Sequence, residues 1–181
     1  IKSTVGIGYT EKLQSINEIL YAPEFLREKT ALDDAFNPDR LIIGCRSVSP
    51  KAYKYASTIE RAIKLPRKTI FLSYREAEAV KLYSNTYLAM RIAFFNDLDT
   101  FSMKENFDSR KVIKAMGLDP RIGDFYNNPS FFYSGYCLPK DARALSKQVD
   151  SNLINAIVLA NEDRKKYIVE TIILEAKKRS K

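Results

Sequence analysis

The sequence predicts an α/β segment followed by an all-α one, in which the last part of a parallel sheet is joined by a long central helix to a helical module. Three observations carry this. Short apolar runs at 17–23, 39–45 and 68–73 alternate with helix-type patterns. From Tyr74 to Asn106 there is neither proline nor glycine, and apolar or small side chains return at Ala77, Val80, Ser84, Leu88, Ile92, Phe95 and Leu98 with helical spacing. Beyond Asn106 the periodic stretches are helical.

In chain order, residues 1–5 (IKSTV) alternate like the tail of a strand, and Gly6 to Tyr9 form a turn leading to Thr10, which caps a short helix from Glu11 to Ser15. NEILYAP at 17–23 reads as a short buried strand ended by Pro23, and EFLREKTALDD as one or two helical turns with Glu24 and Glu28 on one face. DRLIIGC, 39–45, and KTIFLS, 68–73, read as strands flanking a helix from Pro50 to Leu65. The 74–106 helix would run roughly 50 Å at about 1.5 Å per residue, long enough to belong to two modules. Helices then follow at Asp108–Met116, ended by Gly117, at Pro139–Val149 and at Asn152–Arg179, with a loop from Leu118 to Tyr136. The expected divisions are 1–73, the connecting helix 74–106, and 107–181.

Composition narrows the function classes. The 181 residues are 45% hydrophobic and 12% aromatic, the content of a folded chain, and no run has the length of a membrane span. The first residues lack the order of a signal peptide, and two cysteines make no disulfide framework, which fits a reducing cytoplasm. Histidine is absent and no metal-ligand cluster appears, so general acid/base work would fall to lysines and carboxylates. The net charge of +8 is spread along helices with one dense run, KKRSK, which suits a solvated surface or a nucleotide-sized anion better than a nucleic-acid groove.

Several residues stand out against bland alternatives. Lys81 and Asn85 lie four apart and share a helix face; an isolated pair of this kind is ordinarily a solvated lysine beside an exposed amide. The segment DPRIGDFYNNPSFFYSGYC packs prolines, glycines, asparagines and six aromatics into nineteen residues, a composition typical of loops that close over ligands. It ends at Cys137, placed just outside a helix begun by Pro139, where the helix dipole and Lys140 favour an anion. Cys137 is therefore a candidate nucleophile or a small buried hydrophobe. Asp141, one turn on, orients a water or an ammonium, or is a plain helix-start carboxylate. Cys45 belongs to a strand and to the core.

Six blocks in order, IKSTV, APEFLRE, NPDRLIIG, EAEAVKLYSNTYLAMRIAFFNDLD, DPRIGDFYNNPSF and GYCLPKD, resemble the UDP-glucose 6-dehydrogenases of the UDP-glucose/GDP-mannose dehydrogenase family along nearly the whole chain. The resemblance implies a Rossmann-like sheet feeding a helical dimerisation domain, and NAD-dependent oxidation of a UDP-sugar, UDP-glucose first among them, to the uronate. It implies that Cys137 attacks the C6 aldehyde and passes through a thiohemiacetal and a thioester. Lys81 and Asn85 match the pair that holds the alkoxide or a water, Asp141 the aspartate that positions it, and Glu24 the glutamate tied to water activation and substrate. Phe25, Leu26, Arg121, Tyr126, Asn127, Asn128, Pro129, Ser130 and Ser134 match substrate positions, with Arg121 reaching a dimer partner's sugar. Thr4, Glu28, Cys137 and Lys140 match the cofactor side.

The chain departs from that pattern in three ways. The glycine-rich dinucleotide fingerprint and a second doubly wound domain are absent, so the implied reading is a central piece, inactive alone. Phe132 and Ser134 stand where the family has glycines, which puts the loop's backbone in question. Lys81 is expected in a polar pocket, where its removal should touch chemistry rather than folding. Two other readings stay open: a non-catalytic dimerisation module using the long helix and the 152–179 helix, and a basic helical binder of nucleic acid.

Overall fold

The structure, a computed structural model, describes residues 1–13, 19–63 and 68–180 and divides into two compact units, Ile1–Tyr83 and Ser84–Lys181. In the first, a short helix α1 (Tyr9–Lys12), a 3-10 turn (Glu28–Thr30) and α2 (Ala31–Phe36) precede strand β1 (Leu41–Gly44), helix α3 (Pro50–Ala62), strand β2 (Thr69–Leu72) and the start of α4 (Tyr74–Glu105). Joined through a helix, β1 and β2 pair in parallel, Leu41 opposite Thr69 through Gly44 opposite Leu72. Local chemistry sets the helix starts. Ser49 accepts from the Ala52 N–H beside Pro50 at the first position of α3. Ser73 and Glu76 form a reciprocal capping box that opens α4: the Ser73 N–H donates to the Glu76 carboxylate at 2.8 Å and the Glu76 N–H to Ser73 Oγ at 3.3 Å.

The apolar core of this unit gathers Tyr21, Ile42, Tyr74 and Ala77, with Val5, Phe25, Ile70, Leu72 and Val80 packed against them. Tyr21 also forms an antiparallel bridge to Gly44, with N···O distances of 2.9 and 2.7 Å. At Gly44 the backbone lies tight against α4: a Cβ there would sit 2.8 Å from Ala77 Cβ and 3.3 Å from Tyr21 Cβ. Ala77 is fixed in α4 and Tyr21 is fully buried, so Gly44→Ala is expected to destabilise by about 1–3 kcal/mol through overpacking. Urea unfolding reads this directly, and a midpoint equal to that of the parent chain would contradict it.

The second unit holds the rest of α4, then α5 (Ser109–Gly117), an irregular stretch, α6 (Cys137–Ser146) and α7 (Asn152–Arg179), with α6 packed against α7. Asp108 caps α5 and Ser151 caps α7 with their side chains. The chain leaves α4 at Asn106, whose φ of 58° is left-handed, with the Phe107 N–H returning to the Ser102 carbonyl at 3.0 Å. The core here is Ala89, Ala93, Phe95, Ile113, Tyr133, Ala142, Leu145, Ile154 and Ile157.

The long helix, both strands of the parallel pair and α7 lie where the sequence predicts them, and several details differ. Residues 1–5 form no strand; the Ile1 carbonyl takes one bond, from the Ala22 N–H, which is too little pairing for a ladder. Of the expected strand at 17–23, residues 17 and 18 lie outside the described residues and the remainder contributes only the Tyr21 bridge. The α1 helix begins at Tyr9 after Gly8 with no side-chain cap, because the Thr10 N–H is taken by a distant carboxylate; Ser15 lies outside the described residues, as do 64 and 65 of the expected α3. The helical turns after Pro23 start only at Glu28. Gly117 is the last residue of α5 rather than its cap. Cys137 is the first residue of α6 rather than one outside it, because the preceding Tyr136 already has helical dihedrals.

Candidate functional site

In the first unit, α4 carries the predicted lysine. Lys81 is 8% exposed, and its ammonium donates to the Glu24 carbonyl at 2.6 Å and lies 5.1 Å from the centre of the Phe25 ring, which also receives the Arg40 guanidinium at 4.3 Å. Burial overturns the solvated-lysine reading, and whether removing Lys81 leaves folding untouched is decided by a stability measurement. An ammonium this buried is placed by its bond to the 24–25 segment, and Lys81→Ala is expected to lower stability by about 1–2 kcal/mol in denaturant titrations. A stability unchanged by the substitution would show the bond to be idle.

The carboxylate of Glu24 faces solvent and pairs with Lys2 at 2.6 Å, an exposed contact of small energetic weight. Leu26 is exposed, Thr4 is half-buried, and the side chain of Glu28 lies outside the described residues. The EFLRE segment is held by Asp34, which accepts from the Arg27 N–H at 2.7 Å, from the Arg27 guanidinium at 2.5 Å and from Thr30 Oγ1 at 3.0 Å. The Arg27 side chain, then its backbone N–H, keep the Asp34 carboxyl well below the usual carboxylate range. A depressed folded-state value means stability that is present above the ordinary carboxyl range near pH ~4 and lost as the pH falls through it. Asp34→Asn is therefore expected to flatten the acid limb of the stability curve below pH ~4 and leave its shape near neutrality alone. Denaturation midpoints from pH ~2 to ~7 test this, and an acid limb as steep as before would contradict it.

Sequence reasoning missed Glu78. It is fully buried, and its two oxygens accept from the Gly8 N–H at 2.5 Å and the Thr10 N–H at 2.8 Å, anchoring the stretch that follows Thr4. Gly8 is left-handed at φ 86°, with the Arg75 guanidinium 3.2 Å from where a Cβ would stand.

In the second unit, Asn85 and Asp141 meet. Asn85 is 8% exposed and Asp141 fully buried; the Asn85 amide donates to Asp141 Oδ2 at 2.5 Å, and the Lys140 ammonium donates to Asp141 Oδ1 at 2.6 Å. Lys140 also lies 5.4 Å from the centre of the Tyr136 ring. With both oxygens engaged, Asp141 is an oriented acceptor rather than a loose helix-start carboxylate. Cys137 stands one turn before it on α6, exposed, at a helix start without a side-chain cap. Cys45 is buried, its thiol 3.8 Å from the Leu72 carbonyl, as expected of a core residue. Exposure of Cys137 removes the buried-hydrophobe alternative.

The loop between α5 and α6 is pinned from outside. Arg91 donates to the Phe125 carbonyl at 3.0 Å and the Ile122 carbonyl at 3.1 Å while stacking on the Phe125 ring. Tyr126 takes a left-handed φ of 54°, a strained choice for a bulky residue. Arg121 is exposed and grips Asp119 at 2.6 Å, which holds the Asp119 carboxyl below its usual range. Asn127 and Pro129 are half-buried and Asn128 exposed. Ser130 donates its hydroxyl to the Phe132 carbonyl at 3.0 Å, and Ser134 faces solvent. Between Tyr126 and Cys137 the only left-handed residue is Gly135, at φ 75°, so Phe132 and Ser134 stand where the backbone makes no demand for glycine.

Of the residues that the resemblance assigns to the cofactor side, Thr4 is half-buried and Cys137 exposed, and the Lys140 ammonium is engaged by Asp141. Among the described residues there is no cluster of side chains that could hold a metal ion, and no helix is long and apolar enough to cross a membrane.

The family description "UDP-glucose/GDP-mannose dehydrogenase family, central domain" matches residues 75–163. The UDP-glucose 6-dehydrogenase of Campylobacter jejuni is 47% identical over 98% of this chain and 46% of its own length; that of Streptococcus pneumoniae is 41% identical over 96% and 47%. Among solved structures, a UDP-glucose dehydrogenase from Pyrobaculum islandicum shares 30% identity at a TM-score of 0.80, over 98% of this chain and 43% of its own. The chain thus spans about half the length of the curated relatives it matches. With the central-domain match lying across α4 to α7 and these relatives aligned along nearly all of the chain, it belongs to the UDP-glucose/GDP-mannose dehydrogenase family.

Proposed function

We propose that the chain supplies the covalent-catalysis centre of a UDP-glucose 6-dehydrogenase, which oxidises the sugar C6 alcohol to the carboxylate of UDP-glucuronate in two steps. The observation that supports this most is the 2.5 Å bond between Asn85 and Asp141, residues 56 apart in sequence from two separate family-like blocks, one turn from an exposed Cys137.

NAD, when bound, takes up the two hydrides; Thr4, Glu28, Cys137 and Lys140 are the residues that would meet it. After the alcohol has become an aldehyde, Cys137 Sγ adds to C6 and the carbonyl oxygen becomes an alkoxide. Lys81 and Asn85 hold that negative charge as preorganised donors. Loss of the second hydride from C6 leaves a thioester on Cys137. A water held by Asp141 and activated with Glu24 then cleaves it, returning the thiol and releasing the carboxylate. The segment Phe25–Leu26, the loop Tyr126–Ser130 with Ser134, and Arg121 position the sugar nucleotide, Arg121 from one protomer of a homodimer to the other. Pairs of this kind form through the second unit: Tyr87, Phe94 and Phe101 leave an exposed aromatic row at seven-residue spacing on α4, and Leu159, Val169, Ile172 and Ile173 expose aliphatic side chains on α7.

Because the relatives are about twice as long, the test is a chimera in which this chain replaces the matching stretch of the C. jejuni protein. The expected result is two reduced cofactors formed per UDP-glucose consumed, read at the absorbance of reduced nicotinamide. A folded, dimeric chimera that leaves UDP-glucose untouched would favour the non-catalytic dimerisation module instead.

A further inference from the structure

We infer that Asn161 and Arg164 of α7, with Asn96 of α4, are positioning residues that fix the backbone of the loop leading into Cys137. Its importance for catalysis rests on the dehydrogenase reading; its structural content does not.

Two loop residues have both of their backbone polar groups taken by buried side chains. The Ser130 N–H donates to Asn96 Oδ1 at 2.8 Å, and the Ser130 carbonyl accepts from Arg164 Nε at 3.2 Å and Nη2 at 3.0 Å. Three residues on, the Tyr133 N–H donates to Asn161 Oδ1 at 2.8 Å while Asn161 Nδ2 donates back to the Tyr133 carbonyl at 3.1 Å. One amide side chain thus does for Tyr133 what a neighbouring strand would do in a sheet. Asn96 and Asn161 are each 2% exposed and Arg164 is 6% exposed, so water does not replace these partners.

The helices make this mould rigid. Asn161 and Arg164 are three apart and share a face of α7, as do Asn96, Asp99 and Thr100 on α4. The Arg164 guanidinium is fixed by Asp99 Oδ2 at 2.6 Å and Thr100 Oγ1 at 2.7 Å, and Asp99 also accepts from the Ser109 hydroxyl at 2.6 Å. Tyr133 is buried below, its hydroxyl donating to the Ile157 carbonyl at 3.3 Å; burial pushes the phenol up to about 12, so it stays neutral. With four backbone groups of residues 130 and 133 held from outside, the position of Cys137, four residues past Tyr133, is set from α4 and α7.

The test is hydrogen exchange on the 181-residue chain, without cofactor or sugar, comparing the parent with Asn161→Ala, Asn161→Asp and Asn96→Ser. Asn161→Ala is expected to lower protection of amides 130–136 by roughly tenfold or more while peptides of α4 and the first turns of α7 keep theirs. Asn161→Asp carries the signature: as the neutral acid it accepts from and donates to Tyr133, and as the carboxylate it repels the Tyr133 carbonyl. Loop protection in that variant should therefore approach the parent's at pH ~5 and fall as the pH rises, which loss of packing alone would not produce. Asn96→Ser, the milder change, should loosen residue 130 first and covers the case in which a position-161 variant does not fold. Unchanged protection at 130–136 in Asn161→Ala or Asn96→Ser, or a pH-independent Asn161→Asp, would overturn the inference. Since these readouts need no turnover, a chimera without activity would count against the dehydrogenase reading and leave the loop result standing.

Discussion

Asp99→Ala is expected to destabilise the second unit by about 3–5 kcal/mol, since it strands a guanidinium that folding keeps from water. Arg164 is 6% exposed and Asp99 is its only anionic contact among the described residues, at 2.6 Å. Its remaining partners, Thr100 Oγ1 and the Ser130 carbonyl, are neutral. The charge cannot be shed by deprotonation, because a guanidinium keeps its proton throughout the accessible pH range. Combining Asp99→Ala with Arg164→Leu should recover part of the loss by removing the unpaired charge, and urea unfolding of the two single variants and the double gives the coupling. A double variant less stable than Asp99→Ala would show that the guanidinium is better kept, and that its bonds to the loop outweigh its burial.

Cys137→Ala in the C. jejuni chimera is expected to lower the rate of uronate formation on the order of 10³-fold or more, because the other thiol of this chain, Cys45, is buried and cannot form the thioester in its place. Binding of UDP-glucose should change little by comparison, since one sulfur contributes little to a grip spread over a nucleotide sugar. Cys45→Ala serves as the control: buried behind β1, it should cost stability and leave the rate per folded molecule alone. Retention of uronate formation without Cys137 would remove the thiohemiacetal and thioester from the mechanism.

The distribution of exposure explains which parts of the chain could be read in advance. The α4 and α7 helices were legible because long stretches without glycine or proline, with apolar side chains at helical spacing, admit few other structures. The strands β1 and β2 were legible as short β-branched runs between helix signals. Asn85 was singled out by the helix face it shares with Lys81 and Asp141 by its place one turn after Cys137, yet nothing in their spacing predicts a bond across 56 residues. Glu78, Asn96, Asn161 and Arg164 were missed. A polar side chain on an amphipathic helix is ordinarily taken for a solvated one, yet each of these falls on the inward face at i, i+3 or i+4 from buried positions. That spacing was the available signal.

By itself the sequence determined the long helices, the parallel strand pair with the helix between them, their order, and the family, because these depend on neighbours a few residues apart and on blocks of residue identity. The tertiary structure alone decided how the irregular stretches run. Glu78 holds a turn 70 residues before it, and Asn161 holds a loop 28 residues before it. Backbone groups outside helices and sheets must find buried partners wherever folding brings them, and such partners follow no local period.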